Sequence, residues 1–196
     1  MYTQNEYEEL LRAYRLIGRT IFPTKGKRVE MRFETFYGAK YHETYYIVLD
    51  QNEKNCQLSI FMHTIPHFIP LKELENDYLN KDIYKFRNFV DDYLQAYVKR
   101  REEIKILQQN KGIINLSTNN VHDFIEFSVC LEKHTMKISI KYEDLKLCIP
   151  TNTVIYQIEE DDNNFITRLK RLRKLEKYFK ETSLLKAFDN VFVDAS

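Results

Sequence analysis

Two prolines four residues apart, Pro66 and Pro70, stand where one periodicity ends and another begins. Before them Leu58, Ile60 and Met62 alternate with Ser59 and Phe61, the period of a strand. After them the apolar residues return at helical spacing. Each proline fixes its own φ and pushes the preceding residue away from the α region. The string His63-Thr64-Ile65-Pro66-His67-Phe68-Ile69-Pro70 therefore predicts a rigid, extended crossover from a sheet to a helix. A chain built around such a crossover packs helices on a sheet, so the expected class is α+β.

The rest of the chain fits that frame. Residues 4–17 carry Tyr7, Leu10, Leu11, Tyr14 and Ile17 at the spacing of an amphipathic helix, with Gly18 at its C-cap. Strands follow over 28–34, 41–49 and 58–62, joined by turns at Tyr37-Gly38-Ala39-Lys40 and over 50–55. Short connections between consecutive strands imply an antiparallel meander. Beyond the crossover, a helix over 82–109 repeats apolar residues at Ile83, Phe86, Val90, Tyr93, Tyr97, Ile104 and Leu107, with Arg100 on the same seam. At about 1.5 Å per residue it is about 40 Å long, more than one small sheet covers. Its far end packs on a second module or on a partner chain, which makes Ile104 and Leu107 candidate partner-binding residues.

Strand patterns resume over 113–116, 122–131, 136–142, 145–149 and 153–158. The acidic run over 159–162 opens a last long helix with Phe165, Leu169, Leu172, Leu175 and Phe179 on its apolar face, and a short helix with Leu184, Leu185 and Phe188 closes the chain. The order helix, meander, helix, meander, helix divides the 196 residues into modules over 1–111 and 112–196.

Composition removes several function classes. Thirty basic and 29 acidic side chains leave a formal charge of +1, so any charged contact comes from a local patch and not from the whole surface. Four glycines argue against a fold that wraps backbone around phosphates, and no cofactor or small-molecule substrate is expected. Three cysteines without CxxC spacing predict neither a disulfide framework nor a zinc knuckle, and favour a reducing compartment. Tyr45–Leu49, among the longest apolar runs, falls far short of the roughly 20 residues that span a bilayer. The polar N-terminus predicts no signal peptide.

Candidate chemistry is sparse. His63 and His67 are four apart, but Pro66 breaks the helix that would align them on a metal, and no third ligand accompanies them. Gly26-Lys27-Arg28 lacks the remaining glycines of a phosphate loop. Cys130 and Cys148 fall on expected strands as small apolar fillers. The charges near the C-terminus are less ordinary. Arg168, Lys170, Arg171, Arg173, Lys174, Lys177 and Lys180 lie within 13 residues, against Glu176 alone. They read either as a solvated helix face or as a patch for DNA or an acidic partner, with Arg168, Arg171, Lys174 and Lys177 as the candidates.

The crossover resembles the P-x-x-x-P turn of RWD domains, which share the ubiquitin-conjugating fold; Ile65 stands where that turn usually carries tyrosine. Arg15-Leu16-Ile17-Gly18, Val29-Glu30-Met31-Arg32-Phe33-Glu34-Thr35, Tyr45-Tyr46-Ile47-Val48-Leu49, Phe68-Ile69-Pro70-Leu71 and Tyr93-Leu94-Gln95-Ala96-Tyr97-Val98-Lys99-Arg100-Arg101 follow one another in an order similar to the centromere protein O family of the inner-kinetochore COMA complex. The resemblance covers about residues 10–105. It implies two tandem RWD-like modules, each an antiparallel meander packed by helices, in the nucleus at the centromere and kinetochore. It further implies a heterodimer with a centromere protein P-like tandem-RWD chain, and contacts to centromere protein Q- and U-like coiled-coil subunits. A conjugating enzyme needs a nucleophilic cysteine after the meander, and none lies between Pro70 and the long helix, so no enzymatic activity is expected. An inactive conjugating-fold adaptor of the ubiquitin pathway is the rival reading.

Overall fold

The computed structural model describes residues 19–23, 28–52, 54–131, 134–159 and 168–192. Two compact units divide the chain, Met1–Gln95 and Ala96–Ser196. The division falls inside a helix and not at residues 111–112, because the second half of that helix belongs to the second core. The expected helix over 4–17 with its cap Gly18, the Gly26-Lys27 pair, the acids over 160–162 and Phe165 lie outside the described residues.

In the first unit, β1 (Arg19–Pro23), β2 (Arg28–Tyr37), β3 (Lys40–Gln51) and β4 (Leu58–His63) form an antiparallel sheet in sequence order. β1 was not legible in the sequence; it is five residues long and its Ile21-Phe22 pair breaks the alternation. Along β2, Met31, Phe33 and Thr35 are buried while Arg28, Glu30, Arg32 and Glu34 turn away from the core, as the alternation predicts. Tyr37 pairs with Lys40 across the two-residue turn Gly38-Ala39, both at φ near +60°, which suits the twist of a hairpin. The short helix α1 (Leu71–Leu74), a π-helical turn (Glu75–Leu79) and the first part of α2 (Ile83–Gln108) cover the buried face. Phe86, Val90 and Leu94, at successive helical turns, meet Met31, Phe33, Ile47 and Leu49 in one core. Each such side chain contributes about 1.5–3 kcal/mol by leaving water.

A bulge on β2 is tied to the helix. The register slips between Glu34 and Phe36, which frees a carbonyl and an N–H from the ladder. Gln95 of α2 takes both: its amide donates to the Glu34 carbonyl at 2.8 Å, and its oxygen accepts from the Phe36 N–H at 3.2 Å. The outer edge of β4 is closed similarly. Asn80 accepts from the Leu58 N–H at 2.7 Å and donates to the Leu58 carbonyl at 2.8 Å, while Glu75 accepts from the Ile60 N–H at 2.9 Å.

In the second unit, β5 (Ile113–Thr118), β6 (Phe124–Leu131), β7 (His134–Lys141), β8 (Asn152–Glu159) and β9 (Arg168–Arg171) form an antiparallel sheet, again in sequence order. α3 (Arg173–Glu181) and α4 (Leu184–Phe192) follow. Ile125, Phe127, Ile138, Ile140 and Ile155 of the sheet pack with Ile104, Leu107, Phe179, Leu184 and Phe188.

Three expectations are corrected here. Residues 145–149 form no strand: Asp144 accepts from the Lys146 N–H through its side chain and from the Leu147 N–H through its carbonyl, which turns the chain. Residues 168–171 are a strand, not the start of a helix, since β8 offers its open edge and pairs Glu159 with Arg168 through Tyr156 with Arg171. Neither Cys130 nor Cys148 is a core filler; Cys130 is exposed on the outer face of β6, and Cys148 lies in the 142–151 loop.

Candidate interaction surfaces

The crossover is built as its prolines require. Thr64 extends β4 by one rung: its N–H donates to the Tyr46 carbonyl at 2.9 Å, and its hydroxyl accepts from the Tyr46 N–H at 2.8 Å. The Ile69 N–H then donates to the Pro66 carbonyl at 3.1 Å and closes a turn. Pro70 sits at the N-cap of α1, and its carbonyl receives the Leu74 N–H at 3.1 Å. Ile65 and Ile69, the residues immediately before the two prolines, are each 3% exposed. The prolines thus aim two isoleucines into the first core, while His63 and His67 stay at the surface. Beside the crossover, Ile60, Phe61, His63, Leu71, Lys72 and Glu75 line a groove of about 300 Å³.

Ile104 and Leu107, expected to meet a partner, are 3% and 1% exposed in the core of the second unit. The seam outruns the first sheet because a second sheet takes it over, so neither side chain is on the surface for another chain to meet.

That half of α2 also carries two buried charges. Arg100 is fully buried; its Nη1 donates to the carbonyls of Leu145 and Leu147, both at 2.9 Å, and its guanidinium lies 5.1 Å from the Tyr142 ring. Desolvation lowers the Arg100 pKa and raises that of the Tyr142 phenol. Glu103 is 2% exposed. Its carboxyl accepts from the Ser183 hydroxyl and the Leu184 N–H at the start of α4, yet burial outweighs these and a nearby Lys99 and pushes it up to about 7. The Glu103 Oε2, the Tyr142 hydroxyl and the Arg100 Nε have no hydrogen-bond partner among the described residues.

The basic candidates do not share one helix. Arg168 and Arg171 lie on β9, Lys174 and Lys177 on α3. Arg171 is engaged: Nε meets Glu176 Oε1 at 2.7 Å and Nη2 meets Oε2 at 3.1 Å, a bidentate pair that holds the Glu176 carboxyl below the usual carboxylate range. Glu176, 5% exposed, also accepts from the Ile155 N–H at 3.3 Å and so joins α3 to β8. Lys174 and Lys177 are exposed, Lys177 at 3.5 Å from Glu181. The sequence marked Arg171 as a surface cation, and it is one; what the sequence did not show is that the one acid of the run turns inward and that this exposed arginine is spent on pairing with it.

Comparison with known proteins decides the family. The model of the family described as Cenp-O kinetochore centromere component matches residues 20–181. The chain belongs to the Cenp-O family. Its similarity to individual members is moderate. It is 27% identical to centromere protein O of Gallus gallus over 128 residues, 62% of this chain and 38% of that protein. It is 25% identical to centromere protein O of Mus musculus over 155 residues, 76% of this chain and 51% of that protein. The chain thus spans about half or less of the length of these relatives. In this Cenp-O chain the family match runs from β1 through the crossover and α2 to the end of α3, so it takes in parts of both units.

Proposed function

We propose that this Cenp-O chain is a non-catalytic structural subunit of the inner kinetochore that supports chromosome segregation through protein–protein contacts. Its two units are read as tandem RWD-like modules. One observation carries this: each unit has its own antiparallel sheet and its own apolar core, and the family match covers parts of both and not a single motif. In this reading a centromere protein P-like tandem-RWD chain forms a heterodimer with it, and the pair recruits centromere protein Q- and U-like coiled-coil subunits. The contribution of the chain is rigid display of sheet and helix surfaces, with no bond made or broken.

Affinity purification of the tagged protein from dividing cells tests the reading. Recovery of a second tandem-RWD chain in near-equal amount, with coiled-coil centromere subunits, is the expected result. Recovery of ubiquitin ligases without centromere subunits overturns it and favours the adaptor reading.

A further inference from the structure

α3 is strongly one-sided in charge. At about 100° per residue, Arg173, Lys174, Lys177 and Lys180 fall within an arc of about 120° whose centre faces away from the buried Phe179, with Glu176 adjoining its Lys180 edge. All four are exposed. Glu181 is the one acid on that side of α3, and it sits in the last turn beside Lys177. No acid among the described residues pairs with Arg173, Lys174 or Lys180. Glu176 is buried and spent on the exposed Arg171, which leaves Glu181 as the one acid of the helix paired with a cation of this face. Tyr178, 46% exposed, adds a flat ring on the same side.

We infer that this face of α3 contacts the phosphate backbone of duplex DNA without reading its sequence. Three of the four cations are lysines, point charges on long flexible stems that follow a phosphate row in any register. A carboxylate-bearing protein partner is matched better by the planar fork of arginine, and only one of the four cations, Arg173, offers a fork, while that of Arg171 already holds Glu176. Duplex DNA presents one charge per about 1.7 Å of axis, so four cations along about 10 Å of helix find phosphates wherever they land. The inference stands apart from the subunit assembly proposed above and can fail without it.

Fluorescence anisotropy with a labelled duplex of arbitrary sequence tests it on the full chain. Four phosphate contacts give a log–log salt slope of about −3.6, which is about a 100-fold loss of affinity for a fourfold rise in salt. K174E/K177E is expected to weaken binding at least tenfold and to flatten the slope to about −1.8. Should that double reversal unfold the protein, as judged by circular dichroism, K174Q/K177Q carries the same expectation for the slope. No binding at low salt overturns the inference, as does a slope that the substitutions leave unchanged. Tighter binding of a poly-glutamate peptide than of the duplex also overturns it and assigns the face to an acidic protein. Centromere localisation and co-purification of the same variants are read separately, so the two proposals are distinguished.

Discussion

Replacing Glu103 with glutamine isolates one buried proton. Burial at the start of α4 lifts the Glu103 carboxyl from the usual 4.5 to about 7. The fold therefore binds this proton more tightly than the unfolded chain does. Its stabilising effect is complete below about pH 4.5, declines as pH rises, and is gone above about pH 7. At 1.36 kcal/mol for each tenfold change, that interval amounts to about 3 kcal/mol. Glutamine imitates the protonated acid at every pH: its oxygen can still accept from Ser183 and Leu184, while its NH₂ falls where Oε2 has no partner. Whatever that misfit costs is independent of pH. Urea unfolding of wild type and E103Q across pH 5 to 8 is the assay. The stability difference between the two proteins is expected to shift in favour of the variant by about 2–3 kcal/mol as pH rises through this window. Parallel curves would refute the argument, because they would mean that the carboxyl is ionised in the fold throughout.

Further outcomes follow from the same packing. L107D is expected to abolish the cooperative unfolding of the second unit by calorimetry, and L107A to cost about 2–5 kcal/mol, since Leu107 is core and not a free docking residue. Q95A leaves the bulge groups of Glu34 and Phe36 without their side-chain partner and should destabilise the first unit by about 1–3 kcal/mol in chemical denaturation. A39G relieves a side chain held at φ 59° in the β2–β3 turn and should raise the unfolding free energy in chemical denaturation by up to about 1 kcal/mol, an effect that a glycine at a β-region site would reverse.

Local signals carried most of the architecture. Alternation on β2, β3 and β6 marks a half-buried face, and Pro66 and Pro70 mark the crossover, because both effects act within a few residues. What escaped depends on distant partners. Leu169, Leu172 and Leu175 keep a helical spacing, yet the open edge of β8 claims residues 168–171, and tertiary pairing overrides the local pattern. Leu145, Leu147 and Ile149 alternate like a strand, but two of their carbonyls serve Arg100, some 45 residues upstream. Arg100 was legible as a charge on an apolar seam; its compensation was not. The basic run was legible as charge, but its division between an arginine paired to a buried acid and an outward face required the position of Glu176.

The sealed edge of β4 bears on how copies of this protein behave when crowded. An unpaired strand edge is an adhesive template for another chain. Here the adhesive groups at Leu58 and Ile60 are masked by side chains of Asn80 and Glu75, from a short helical turn 15 to 22 residues downstream. The same turn buries Leu71, Leu74 and Leu79 in the first core, so the mask is held by core packing as well as by these hydrogen bonds. Self-association of the first unit is therefore coupled to the packing of the turn over 71–80: conditions that loosen it bare the β4 edge and part of the core together, and copies are brought together by both.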